Sequence, residues 1–479
     1  MDMKRIILSA ACLLSVAGLG AKVRVAAVFA DNMVLQRDLP VNIWGWADPN
    51  ERVKVQVGKE IRQLKADAKG EWTVSLSPRG AGDAGVFEVS GKDSRVSFQN
   101  VVFGEVWYCS GQSNMGLVIR RTADWERVAA GAANPDIRVA RVAQDVAFAP
   151  KEDCLLMWGW KAPSPDATPE FNAVAYFLAA ELQKALKVPV GMLCAPYGAS
   201  TAESWLSDAR VMDLDGQMWR RINDYKNNTG FEDYLKDKSQ LKQSRPTVCY
   251  NAMYYPVRRY TVRGAAWYQG ESNSREPGLY FETMKRLIDT WRGDRNDPDL
   301  PVLVVQLANF RNKWKDGWVA IQNAQSELAA KIPNVYTSIT NDCGDNGDIH
   351  PKDKQTVGYR LSLLARRHVY GEKELIAQGP TFKNMQIDGD KAVLTFDNVG
   401  RGLKCKAESG ALTNFEIAGS DGVFYPADAK ISAADSVVVR SRSVSAPKNV
   451  RYGWKADLTD VTFYNSAWLP AGCFSTLAN

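Results

Sequence analysis

Between residues 101 and 370 the chain alternates short, largely apolar runs that read as buried strands with stretches whose apolar residues recur at helical spacing. That alternation confines it to a parallel α/β sheet, whose strands read as continuous apolar runs because helices cover both faces. The expected strands are 101–109, 137–142, 188–195, 262–268, 302–307 and 335–340, and the expected helices 174–186, 280–291, 318–331 and 352–370. Residues 205–250 are polar and irregular for a crossover, and read as an insertion that shapes the substrate mouth.

The flanks have another texture. Over 22–100, β-rich runs at 41–46, 53–57, 72–76 and 86–90 are separated by Asp48-Pro49-Asn50, Lys69-Gly70 and Gly80-Ala81-Gly82, the spacing of a small antiparallel sandwich or jelly roll. The same pattern returns after Gly379-Pro380, with runs at 392–396, 415–418 and 436–440. The expected organisation is therefore an N-terminal β-sandwich region (22–100), an α/β domain (101–372) and a C-terminal β-rich domain (373–479), the last either separate or packed with the first. A chain of 479 residues is long for one core, which agrees with this division.

Residues 1–21 read as an export signal: Lys4 and Arg5, an apolar run over 6–19, then Gly20 and Ala21. The run is too short for a bilayer span, so a secreted or periplasmic protein is expected. Cys12 is a weaker candidate for lipoprotein acylation, because Ser9 stands where that signal wants Leu. No cysteine pair has metal-ligand spacing, and with two histidines in the chain no metal site is expected. Net charge is +6, with both signs interleaved, which gives no nucleic-acid stripe. Fifteen tryptophans are mostly core, although indole faces also stack on sugars.

Ligands of open α/β sheets bind beyond the carboxyl ends of the strands. Four small, polar, Gly-containing segments follow expected strands: Gly111 to Met115, Tyr197 to Ser200, Gln269 to Asn273 and Asp342 to His350. A serine hydroxyl needs a base, usually histidine. The apolar spacing Val357, Leu361, Leu364, Ala365 predicts a helix that begins near Pro351 and stops before Gly371. His350 and His368 would then lie about 27 Å apart along it. They cannot share a site; His350 falls on the active edge and His368 at the helix's far end.

The run Val106-Trp107-Tyr108-Cys109-Ser110-Gly111-Gln112-Ser113-Asn114-Met115, with Trp267-Tyr268-Gln269-Gly270-Glu271-Ser272-Asn273 and Asp348-Ile349-His350-Pro351, resembles the sialate O-acetylesterase family of SGNH hydrolases. The likeness extends to residues 31–37 and 41–47. It implies a flavodoxin-like parallel sheet with helices on both faces and a secreted serine esterase that needs no cofactor and acts on a free or glycan-linked acetylated sugar. Carried over, it makes Ser113 the nucleophile and His350 its base. Oxyanion donors would be the backbone N–H of Ser113 and of Gly198 and the side-chain amide of Gln269, with Asn273 a second amide. Gln112, Asn114 and Glu271 would support the loops.

The family often has Asp three residues before the histidine, and here that position is Gly347. Asp348 is the best placed acid, with Asp345 and Asp342 as alternatives on the same loop, and a Ser-His pair steadied by a backbone carbonyl is also open. A sialate carboxylate would want an arginine fork, for which Arg120, Arg121 and Arg275 stand near the motifs. The rival readings are an esterase of acetylated xylan or another polysaccharide, a cysteine hydrolase using Cys109 or Cys194, and a non-catalytic carbohydrate-binding protein.

Overall fold

The structure, a computed structural model, describes residues 22–216 and 241–477. The expected export signal and the middle of the 205–250 insertion lie outside the described residues.

The central sheet includes β1 (Val34–Gln36), β2 (Val102–Gly111), β3 (Ile137–Val142), β4 (Leu156–Lys161), β5 (Val190–Pro196), β6 (Gly264–Tyr268), β7 (Val302–Val305) and β8 (Val335–Ser338). The main path runs β4-β3-β5-β2-β6-β7-β8. From β3 to β8 every pairing is parallel, and β4 closes one edge antiparallel to β3. The inner strands are buried along nearly their whole length, which is why apolar residues dominate them. β4 escaped the sequence reading: its alternation is broken by Gly159, and Met157 faces outward.

The accompanying helices are α1 (Ser113–Gly116), α2 (Ala173–Leu186), α3 (Tyr280–Arg295), α4 (Lys315–Lys331) and α5 (Lys354–His368). α2 packs on α5 and α3 on α4. Gly358 allows the first pair its closeness, since a Cβ there would stand 2.4 Å from Phe177 Cβ. The expected start of α5 at Pro351 is corrected: Asp353 is the cap, its Oδ1 accepting from Thr356 N at 3.0 Å, so the helix begins at Lys354.

β2 is the longest strand of this sheet. Its first residues pair with β1 in the N-terminal region (Val102 with Val34, Phe103 with Leu35), and its last seven with β5. Apolar side chains of the N-terminal sheets, among them Ile43, Val55, Trp72 and Phe87, belong to the same core as the central sheet. The C-terminal strands gather their own core around Leu394, Phe396, Phe415, Val439 and Phe463.

Candidate active site

β2 ends at Gly111 and the chain turns at once into α1, whose first residue is Ser113. The turn needs glycine: Gly111 has φ +135°, and a Cβ on it would meet Tyr268 O at 2.1 Å. The other face of the crevice is the loop after β8, from Asp342 to His350. Across it Ser113 Oγ lies 2.8 Å from His350 Nε2, although 237 positions separate the two residues in the chain. The imidazole is half-buried. That burial, followed by the nearby Lys354 cation, lowers its pKa from 6.5, with Arg121 acting the same way and Asp348 opposing.

Asp348 holds the backbone of His350, accepting its N–H at 2.8 Å, while its Oδ1 stands 3.8 Å from Nδ1, beyond a hydrogen bond. The other two acids face elsewhere. Asp345 accepts from Gly347 N at 2.8 Å. Asp342 is gripped by Arg360 at 2.6 and 2.8 Å; burial alone would raise its pKa, yet that guanidinium holds it below the usual range. Asp342 is thereby removed from the alternatives.

Beside the serine, Gly198 comes so close that a Cβ on it would lie 3.6 Å from Ser113 Cβ. The N–H of Ser113 opens α1 and has no acceptor within that helix. The amides of Gln269 and Asn273 each have partners within the protein. Gln269 Nε2 donates to Ser200 O at 3.2 Å and to Asn273 Oδ1 at 2.7 Å. Asn273 Nδ2 donates to both carboxylate oxygens of Glu203 at 3.0 Å, and its Oδ1 accepts from Ala202 N. These bonds hold the β5 and β6 loops together. Nothing in the motifs pointed to Glu203, because its partner lies 70 positions away.

Gln112 braces the turn from the other side, its Oε1 accepting from Gly270 N at 3.4 Å and Ser272 N at 3.2 Å. Asn114 Nδ2 donates to Glu271 Oε1 at 2.5 Å and to Ile349 O at 2.9 Å, which ties the serine turn to the histidine loop. Asn114 Oδ1 accepts from Lys354 Nζ at 2.6 Å. Sequence reasoning missed Lys354, yet a signal was there: it falls in the apolar stripe Val357, Leu361, Leu364 of α5, where a lysine is out of place. The far end of the 205–250 insertion reaches this edge, with Gln243 Nε2 donating to Gly198 O at 3.1 Å and Ser244 Oγ to Ala199 O at 2.5 Å.

Of the three arginines, Arg120 pairs with Glu170 and Arg275 lies over the exposed ring of Trp314, 4.0 Å from Glu276. Arg121 is the one near enough to act on His350. His368 closes α5 at the far end, stacked on Tyr336. Cys109 and Cys194 are buried in register on neighbouring strands. A hydrogen bond with Cys194 and burial hold the Cys109 thiol well above the usual range, which denies it a nucleophilic thiolate.

Comparison with known proteins follows the same residues. The model of a family described as carbohydrate esterase, sialic acid-specific acetylesterase, matches residues 103–363. Sialate O-acetylesterases of Pongo abelii and Homo sapiens are each 30% identical to the chain over 419 residues, covering 79% of it and 76% of their own length. A crystal structure of a carbohydrate acetylesterase from Xanthomonas citri superposes with a TM-score of 0.86 at 36% identity, over 95% of this chain and 100% of that one.

Proposed function

Because the chain belongs to the sialic acid-specific acetylesterase family of carbohydrate esterases and is a carboxylic ester hydrolase, we propose that it removes O-acetyl groups from sialic acids through an acetyl-enzyme on Ser113. The observation that carries this reading is the 2.8 Å approach of Ser113 Oγ to His350 Nε2 at the carboxyl edge of the sheet. In the proposed reaction His350 takes the hydroxyl proton as Ser113 attacks the acetyl carbonyl. The tetrahedral oxyanion is met by the backbone N–H groups of Ser113 and Gly198; losing one such donor typically costs about 3 kcal/mol of transition-state stabilisation. His350 then protonates the departing sugar oxygen, and water, activated by the same imidazole, releases acetate. Asp348 steadies the loop that carries the imidazole. Arg121 is the proposed partner of a sialate carboxylate, supported by its nearness to His350.

Acetate release from O-acetylated sialic acids should exceed release from acetylated xylan, and should vanish in Ser113→Ala with circular dichroism unchanged. A preference for xylan would replace the sugar in this reading. Full activity in the variant would end it. We also propose export, on the strength of Lys4, Arg5 and the apolar run that follows; among the described residues no helix is long and apolar enough to cross a membrane.

A further inference from the structure

Lys354 is out of keeping with its surroundings. It is 0% exposed, and it is the first residue of α5, where the helix dipole disfavours a cation. Burying an ammonium costs several kcal/mol unless its charge is answered, and an apolar side chain would fill the same space without that cost. The answer is a relay rather than a direct ion pair. Lys354 Nζ donates to Asn114 Oδ1 at 2.6 Å, Asn114 Nδ2 donates to Glu271 Oε1 at 2.5 Å, and the same Nδ2 donates to Ile349 O at 2.9 Å, one residue before His350. The Tyr268 ring covers the ammonium from another side, 5.3 Å away.

We propose that Lys354 is a positioning residue for the ester hydrolysis: through Asn114 it fixes the Ser113 turn to the His350 loop, and its charge keeps the His350 imidazole free of a proton in mildly acidic surroundings. This rests on the reading of Ser113 and His350 as the reacting pair. The charges that face His350 are Lys354 from α5, Arg121 from the segment after α1 and Asp348 from its own loop. Those that face Lys354 are Glu271 from the β6 loop, with Cys343, Asp348 and Asp353 from the segment between β8 and α5. Burial pushes Lys354 down to about 7, so the ammonium keeps its charge on the acid side of neutrality, where His350 needs the help, while burial pushes Glu271 up from 4.5, so its opposing charge weakens as the pH falls. Removing the cation leaves Glu271 either charged, which favours a protonated imidazole, or neutral, which leaves Asp348 to do the same. The sign is one way in both cases.

The test is the pH profile of kcat/KM on p-nitrophenyl acetate for the full chain and three variants. Lys354→Gln keeps a donor for Asn114 and loses the charge, Lys354→Met loses both, and Lys354→Arg keeps the charge. In the Gln and Met variants the acid limb should move up by about half a unit or more, a loss of about 3-fold or more at any pH below it. In the Arg variant the limb should stay where it is in the natural chain. A uniform fall in rate with the limb unmoved in a folded Gln or Met variant overturns the proposal and leaves Lys354 a packing residue. If neither folds, the NMR titrations of Lys354 and His350 in the natural chain decide: a Lys354 midpoint above that of His350 upholds it, because the cation is then present throughout the imidazole's transition, and one below overturns it. Failure of the underlying reading has a different mark, since His350→Asn would then remain active.

Discussion

A serine oxygen beside an imidazole nitrogen is useful only while the imidazole is neutral, and burial and the neighbouring cations lower the pKa of His350 from 6.5. Activity is therefore expected to persist below pH 6.5 and to fall only as His350 takes up its proton, which the acid limb of kcat/KM reads directly. Asp348→Asn should cost well short of the ~10⁴-fold seen where a buried, bonded acid is lost, because Asp348 holds a backbone N–H and stands 3.8 Å from Nδ1. That Ser113 and His350 meet at one edge of the sheet was legible in the sequence because each sits in a small polar segment after a strand. Lys354 was not, since lysines are read as exposed by default. The partners of the Gln269 and Asn273 amides were hidden for a related reason: where an amide points depends on its surroundings, and Glu203 comes from another loop.

The elements themselves were legible to the degree that their burial is uniform. Ile137–Val142 matched to the residue, because every position of it is buried and apolar residues dominate it in spite of Arg138 and Arg141. The edge strand Leu156–Lys161 was invisible, having only one neighbour and a mixed face. Two substitutions test what shapes the site at this scale. Gly111→Ala should lower the melting temperature sharply and abolish activity, since an added Cβ meets the Tyr268 carbonyl. Asp353→Ala should lose about 1 kcal/mol in chemical denaturation, as expected for the loss of a helix cap.

Across the whole molecule the most consequential charge is Glu105, fully buried on β2. It accepts from Arg37 at 2.5 Å, Arg263 at 2.9 Å, Gln36 at 3.1 Å and Tyr370 at 3.1 Å. Burial alone would raise its pKa, but the two guanidiniums hold it below 4.5. A carboxyl whose folded pKa is depressed contributes stability that is complete above its unfolded value and is lost as pH falls through the folded one. Thermal stability should therefore decline below about pH 4.5, and less so in Glu105→Gln. Glu105→Ala should cost about 3–5 kcal/mol by leaving the arginines unanswered. Composition could announce three textures along the chain, but not that one carboxylate would join residues 36, 37, 263 and 370.

The strand that carries Glu105 begins against the leading β-rich region and ends two residues before Ser113. No hinge of loose chain intervenes, so tension at one end is felt at the other. A breeder of chimaeric enzymes who wished to exchange the leading module would have to splice within a hydrogen-bonded ladder, and a slip of one residue there would turn the reactive hydroxyl away from its base.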